Sequence, residues 1–398
     1  MSFGLMRRID GWFGRPLMWA LRIFTPRVKS LHGDIQLGHL PERVICTKFI
    51  GMGSVVLSLP LLKALKQSGV KIAFWSFPGH ADLVKATGYV DEVWIVRPSL
   101  FHFLPSLWKT WAASRAFKAD AFLDLEPTAN FSALLARLSG AKIRVGFMSA
   151  KPLRESLFTH LVALTSERHM IEHHLSMGQL IGLSKNVSTA LPEAPAEEMS
   201  SDVLAFRPVT GRKRIVININ TSELSWHRMW PAENWVSLCT QLLKDPAVEL
   251  AFTGGRGEQE RVGKIVKALE MQTHPEPARV LNFAGNTSVP QLMEVLRRAQ
   301  LVVSVDSGTM HLAAWMGTPL VGLFGPETPK LYGPRSPVAR VIWEGIACSP
   351  CLSVAADKMT RCRDNQCMKM IGTERVLAAC RTLVALSPNL TRKTSEVA

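Results

Sequence analysis

The sequence has no uncharged apolar run of about 18 residues, so it offers no candidate for a membrane-spanning helix. It has only two tyrosines in 398 residues, and it carries no helix-turn-helix pattern, zinc-finger spacing or RNP-like aromatic motif. Few stacking platforms and no groove-reading motif argue against a nucleic-acid partner. Acidic residues are scarce beside basic ones, 32 against 47, which leaves a formal charge of +15. That imbalance favours acidic partners: nucleotide phosphates, anionic lipid headgroups or a phosphorylated glycolipid. With 47% hydrophobic and 20% charged residues the chain has the make-up of a globular protein, and its length accommodates two α/β domains.

The N-terminus is basic and aromatic. Leu5–Phe24 mixes Trp12, Phe13, Trp19 and Phe24 with Arg7, Arg8, Arg15 and Arg22, and no small-residue cleavage site follows to make it a signal peptide. Such a segment, broken near Gly14-Pro16, can lie in the interface of an anionic leaflet. A helix packed on the first domain accounts for it equally well.

Beyond this extension (residues 1–40), strand-like and helical stretches alternate as in a parallel sheet. In a first domain, 41–183, strands are expected at Arg43–Ile50, Lys71–Ser76, Glu92–Val96, Ala121–Leu125 and Arg144–Gly146. Gly51-Met52-Gly53-Ser54 forms a glycine turn in which Ser54 can cap a helix over Val55–Gln67, interrupted near Pro60. Residues 184–212 read as a linker, Ser-, Pro-, Ala- and Glu-rich up to residue 210. In a second domain, 213–372, strands are expected at Arg214–Ile219, Val248–Thr253, Arg279–Phe283, Leu301–Val305 and Leu320–Phe324. A helix at Thr373–Leu386 opens the last segment, 373–398.

The most informative stretch is 301–334. Its apolar run Leu301–Val305 suits a strand buried on both faces, and Asp306-Ser307-Gly308-Thr309 is a turn signal. Met310–Met316 is apolar all round a short helix, which Gly317 can close in the left-handed conformation before Pro319. A second buried strand follows and ends at Gly325-Pro326. Two loops thus leave the carboxyl ends of neighbouring strands, where open parallel sheets bind ligands. Amides of Ser307, Gly308 and Thr309 at a helix N-terminus suit a phosphate. Asp306 would repel that phosphate unless a hydroxyl or cation lies between, so a sugar or a basic neighbour is its expected partner. A plain N-cap role for Asp306 or Ser307 is the competing account.

This stretch closely resembles the C-terminal signature of glycosyltransferase family 9, the ADP-heptose:lipopolysaccharide heptosyltransferases and their relatives. Asp306, Ser307, Gly308 and His311, then Phe324-Gly325-Pro326 and Gly333-Pro334, fall in the family's order. The resemblance implies two Rossmann-like domains facing a cleft, a glycosyltransferase B-type α/β fold, with the donor nucleotide sugar on the second domain. It also implies that the last helix returns to the first domain.

Three further segments take meaning from the resemblance. In Ile215–Pro231 the family's loop grips the donor diphosphate with hydroxyls and a Lys. Here Thr221 and Ser222 are the nearest hydroxyls and Arg228 is the basic residue, a planar fork in place of a point charge. In Thr253–Glu258 glycines allow close backbone approach, and Glu258 matches an acid expected on ribose hydroxyls. In the first domain the family's Met-Gly-Asp, whose Asp is taken as the base, is Met52-Gly53-Ser54 here. A serine hydroxyl has no proton affinity near neutral pH, which leaves Glu126 or Asp124, at the end of the 121–125 strand, as replacements or as ordinary strand-end carboxylates.

Cys348, Cys351, Cys362 and Cys367 have the spacing of a zinc knot or a pair of disulfides; in a cytoplasmic enzyme a structural metal or reduced packing is favoured over disulfides, and the segment is read as structural. Cys46, Cys239 and Cys380 read as small buried apolar residues.

The expected function is an inverting glycosyltransferase that needs no catalytic metal. It moves a sugar, heptose from ADP-heptose as the resemblance implies, onto a lipopolysaccharide-core or other lipid-linked acceptor. The expected location is the cytoplasm, peripheral on the inner face of the inner membrane. A nucleotide-sugar-binding or scaffolding protein that lost catalysis with the Asp-to-Ser change at position 54 is the second reading.

Overall fold

The computed structural model describes residues 40–99, 101–149, 151–195, 211–221, 226–273, 279–352 and 359–395, with Asp10 and Pro16. It divides into two units, Met1–Pro192 with Leu352–Thr360, and Glu193–Cys351 with Arg361–Ala398.

The first unit is built on six parallel strands: β1 (Arg43–Thr47), β2 (Lys71–Ser76), β3 (Glu92–Ile95), β4 (Ala121–Asp124), β5 (Ile143–Phe147) and β6 (His160–Val162). Their order is β3-β2-β1-β4-β5-β6, with β1 paired to both β2 and β4. The central strands are continuous apolar runs because helices cover both faces of a parallel sheet. Val44, Ile45, Cys46, Ala121, Phe122 and Leu123 are all fully buried.

Several boundaries differ from the sequence expectation. Strand β1 stops at Thr47 and not at Ile50, because the Phe49 and Ile50 amides turn away from the sheet to the Glu126 carboxylate, at 2.6 and 2.7 Å. Gly51, with φ 84°, makes the turn and takes the N-cap place, so Ser54 lies inside the helix Met52–Val56 and does not cap it. The helix expected over Val55–Gln67 is two helices, Met52–Val56 and Leu59–Gln67. Pro60 sits in the first turn of the second, where its missing N–H costs nothing, so the break falls before the proline.

The second unit repeats the plan with β7 (Lys213–Asn218), β8 (Val248–Phe252), β9 (Val280–Asn282), β10 (Leu301–Val305), β11 (Leu320–Phe324) and β12 (Ala339–Trp343). The order β12-β11-β10-β7-β8-β9 is the first sheet's order when counted from β9. In both sheets the chain reverses direction of winding beside the first strand, the switch point at which such sheets bind ligands. In the second unit that point lies between β7 and β10, paired in parallel with Val216 opposite Val302.

The short helix Gly308–Trp315 buries Thr309 to Trp315 without a polar face. It closes at Gly317, whose φ of 74° is in the left-handed region.

The last helix, Thr373–Ser395, corrects one expectation: it falls in the second unit, whereas the resemblance places its end with the first. Val376, Leu377, Cys380 and Leu383 repeat at helical spacing, and this stripe joins the core built on Trp235, Leu238 and Cys239 of the helix Ala232–Leu242. Apart from Asp10, Pro16 and Leu40, the basic extension of residues 1–40 lies outside the described residues, as do residues 196–210 of the linker.

Candidate active site

In the second unit the carboxyl ends of β7, β8, β10 and β11 gather polar side chains. Strand β7 ends at Asn218, whose amide donates to Ser304 Oγ at 2.9 Å, Ser307 Oγ at 2.8 Å and the Asn220 carbonyl at 3.2 Å. This one side chain ties the two strands at the switch point together. It also decides what Ser307 does. Ser307 occupies the N-cap place of the helix Gly308–Trp315 but makes no capping hydrogen bond, its hydroxyl lying against Asn218 and Ser304. The first amides of a helix have no partner within it, so this terminus is left for an anion.

Asp306 follows β10 and is 6% exposed. Its carboxylate faces the expected basic neighbour: Arg228 Nη1 lies 3.4 Å from Asp306 Oδ2. The other arm of the guanidinium reaches Glu327 Oε1 at 3.2 Å. Burial alone would make Arg228 easier to deprotonate, but Asp306 and Glu327 outweigh it and hold its pKa above the usual value. Arg228 is therefore a fixed cation whose charge is shared by two carboxylates.

His311, one turn into the helix, is buried and pushed down to about 4, chiefly by desolvation and further by Arg228, while Asp306 opposes. It is neutral at pH 7, and its Nδ1 has no partner among the described residues. Asn220 Oδ1, Thr253 Oγ1 and Arg228 Nε are likewise buried without a partner among them. Native structures rarely leave such atoms unmatched, and four around one set of strand ends mark a place where a polar ligand belongs.

The glycine loop after β8 is closely packed. A Cβ on Gly254 would come within 2.7 Å of Asn220 Nδ2, so only glycine lets the loop lie against the β7 end. Glu258 Oε2 accepts from the Gly255 amide at 2.6 Å, which orders the loop. Gly254, Gly255 and Arg256, with Gly285–Ser288 and Gln291, line a cavity of about 360 Å³. Thr221 is buried beside Asn220, and Thr309 is buried in the first turn of the helix. Ser222 lies outside the described residues.

Glu327 is absent from the residues expected on sequence grounds, although it follows directly on Phe324-Gly325-Pro326 at the end of β11. The pairing of β11 with β10, which brings Glu327 beside Asp306, is visible only in the structure. Asn218 and Asn365 were also missed. Asn365 Nδ2 donates to the carbonyls of His227 at 3.2 Å and Met229 at 2.8 Å, the residues on either side of Arg228.

The cysteine segment also serves these loops. The Cys351 amide donates to the Pro326 carbonyl at 2.9 Å. The Cys362 carbonyl pairs with His227 Nε2 at 2.8 Å. None of the four is in a disulfide, and the Cys362 thiol donates to the Asp364 carbonyl at 3.0 Å. Burial, and then the nearby Cys351, Cys348 and Cys362, push the Cys367 thiol up to about 11. Among the described residues no three His, Cys, Asp or Glu side chains are arranged to hold a metal ion, so neither the zinc knot nor the disulfides expected from the spacing are found. The segment is held to the site by the backbone groups of Cys351 and Cys362 and by the side chains of Ser349, on the Gly325 carbonyl, and Asn365.

In the first unit Asp124 is fully enclosed, accepting from Thr47 at 3.1 Å, Ser132 at 2.8 Å and Arg154 at 2.7 Å. Burial pushes it up to about 6, against the pull of Arg154. Glu126 is 3% exposed and takes Lys48 Nζ at 2.8 Å besides the two amides of Phe49 and Ile50. It holds the loop that leads to Ser54, with one of its roughly four acceptor positions open among the described residues.

Comparison with known proteins bears on the family and the fold. The chain is 33% identical over 115 residues to lipopolysaccharide heptosyltransferase 2 of Escherichia coli, an alignment covering 29% of this chain and 32% of that protein. The chain thus spans about a third of that relative. It is 24% identical over 311 residues to E. coli lipopolysaccharide heptosyltransferase 1, covering 73% of this chain and 90% of the relative. The solved structure of E. coli ADP-heptose lps heptosyltransferase II superposes with a TM-score of 0.68 at 21% identity, covering 87% of this chain and 99% of that one. That likeness shows the fold. The profile of glycosyltransferase family 9 (heptosyltransferase) matches residues 107–360, more than half of the sequence, and the chain belongs to that family.

Proposed function

We propose that the protein is an inverting glycosyltransferase that moves heptose from ADP-heptose to a lipopolysaccharide-core or other lipid-linked acceptor. The observation that carries this reading is the helix terminus at Gly308 and Thr309, left uncapped at the switch point because Asn218 and Ser304 engage the Ser307 hydroxyl. A diphosphate is the ligand that such a terminus fits. Arg228 resolves the repulsion that Asp306 would exert on it, since the cation lies against that carboxylate.

In the transfer step an acceptor hydroxyl attacks the anomeric carbon from the face opposite the diphosphate. The new C–O bond forms as the bond to the diphosphate oxygen breaks, and the hydroxyl proton goes to a base. The helix amides and Arg228 stabilise charge on the departing diphosphate. Thr221 and Ser222 add hydroxyls to that grip, Glu258 binds the ribose, and Asp306 orients the sugar. On the acceptor side we assign the base to Glu126 in preference to the enclosed Asp124. Peripheral attachment to the inner face of the inner membrane accompanies a lipid-linked acceptor. No helix among the described residues is long and apolar enough to cross a membrane.

Titrating the protein with ADP-, UDP-, GDP- and dTDP-sugars tests the donor, with ADP-heptose expected to bind tightest. Tighter binding of another nucleotide sugar would overturn that assignment. Ser54 favours a second reading, a nucleotide-sugar-binding protein without turnover. Donor binding with no transfer above background would select it.

A further inference from the structure

The helix Phe103–Phe117 in the first unit has two apolar sides where one would suffice. Its inner side packs Phe103, Leu107, Trp111 and Phe117 against the core. On the outer side Leu104 is 70% and Trp108 68% exposed, and Phe101, in the turn before the helix, is 82% exposed. An outward side with such residues one turn apart has no use in a core, and marks an interaction surface. Its charge is of one sign. No acidic residue occurs between Glu92 and Asp120, while Arg97, Lys109 and Lys118 are all exposed.

The N-terminal extension is tied to the same region through Asp10. Its carboxylate accepts from the amides of Asn130 at 3.0 Å and Phe131 at 2.6 Å, at the start of the helix Asn130–Leu138. The Phe131 ring lies 6.0 Å from that of Phe103. A residue of the basic, aromatic extension is therefore fixed close to the start of the two-sided helix.

We propose that the outer side of this helix, Phe101, Leu104 and Trp108 with Arg97, Lys109 and Lys118, is the surface by which the protein docks on an anionic lipid bilayer. Large apolar side chains enter the headgroup boundary while the flanking cations meet lipid phosphates, the arrangement of an interfacial helix. The proposal rests on the reading that the acceptor is lipid-linked, and names the surface that presents the enzyme to it.

The test is cosedimentation of the full-length protein with vesicles of phosphatidylethanolamine and phosphatidylglycerol, at low and high salt. The parent is expected to bind, and the F101S/L104S/W108S variant to bind roughly tenfold more weakly or worse, since it loses the apolar area that enters the interface. The charge reversal K109E/K118E is expected to weaken binding chiefly at low salt. These side chains are exposed, so both variants should fold and keep parental turnover on a soluble acceptor. Failure of the parent to bind, or equal binding by the triple variant, overturns the proposal. A parent that is dimeric by light scattering and a triple variant that is monomeric would assign the surface to a second copy and also overturn it. Absence of transfer by the parent, with vesicle binding intact, would refute the functional reading and leave the docking surface standing.

Discussion

The guanidinium of Arg228 reaches Glu327 at 3.2 Å with one arm while the other lies 3.4 Å from Asp306. Replacing Arg228 with Ala leaves two buried carboxylates facing each other without a counter-charge. The expected loss of stability is about 3–5 kcal/mol, the cost of breaking a buried pair from one side. Thermal unfolding measures it, and restoration of the melting temperature in R228A/D306N/E327Q would show that repulsion is the cause. Donor affinity should stay low in both variants.

Asp306→Asn keeps the shape of the side chain and removes one charge from the pair. Transfer should fall sharply while the melting temperature changes little, because Glu327 still holds Arg228. Full turnover by D306N would remove Asp306 from the chemistry.

Asn365 holds the carbonyls on either side of Arg228, so Asn365→Ala frees both. Leaving these half-buried acceptors unmatched costs about 1 kcal/mol. The variant should bind nucleotide diphosphate more weakly by calorimetry although residue 365 carries no charge. Unchanged affinity would limit Asn365 to packing.

Glu126→Gln separates two duties. If Glu126 is the base, turnover should drop by about 10²–10⁴-fold with donor affinity preserved, the usual share of positioned base catalysis. Ser54→Asp in that background should restore part of it. If the residue only holds the 48–50 loop, turnover should follow the melting temperature and the second substitution should rescue nothing.

Acid should weaken the fold from about pH 6.5 downward. Burial depresses His174 to about 3 and His311 to about 4, both below the ordinary value near 6.5. The unfolded chain therefore takes up protons first, and stability is lost as pH falls from about 6.5 towards about 4. Each tenfold difference in proton affinity between the folded and unfolded chain is worth about 1.4 kcal/mol. Asp124, raised to about 6, acts in the opposite sense and offsets part of the loss. Urea midpoints across this range are the measurement, and a flat profile would contradict it.

The α/β alternation and most strands of both sheets were legible because buried parallel strands such as Leu301–Val305 are unbroken apolar runs between turn signals. Strand β6 was not, being three residues long, and β12 was not, since its burial does not follow an apolar run. The switch-point loop at Asp306 to Thr309 could be read from its glycine and its flanks. Glu327 and Asn365 could not be assigned, because their roles depend on neighbours 99 and 136 residues away, a separation that local pattern does not encode. Ser54 was visible as a departure, but the engagement of Glu126 with the loop ahead of it needed the three-dimensional path of β1.

The arrangement of Ser307 has a consequence for handling the protein. A helix that gives up its own serine cap forgoes about 1 kcal/mol, and the anion proposed for that place would return more than that. At roughly a hundredfold excess over its dissociation constant such a ligand adds about 2.7 kcal/mol to the folded state. Preparations that retain nucleotide through purification and those stripped of it would then behave as two samples of different durability, and shelf life would report on occupancy of the site.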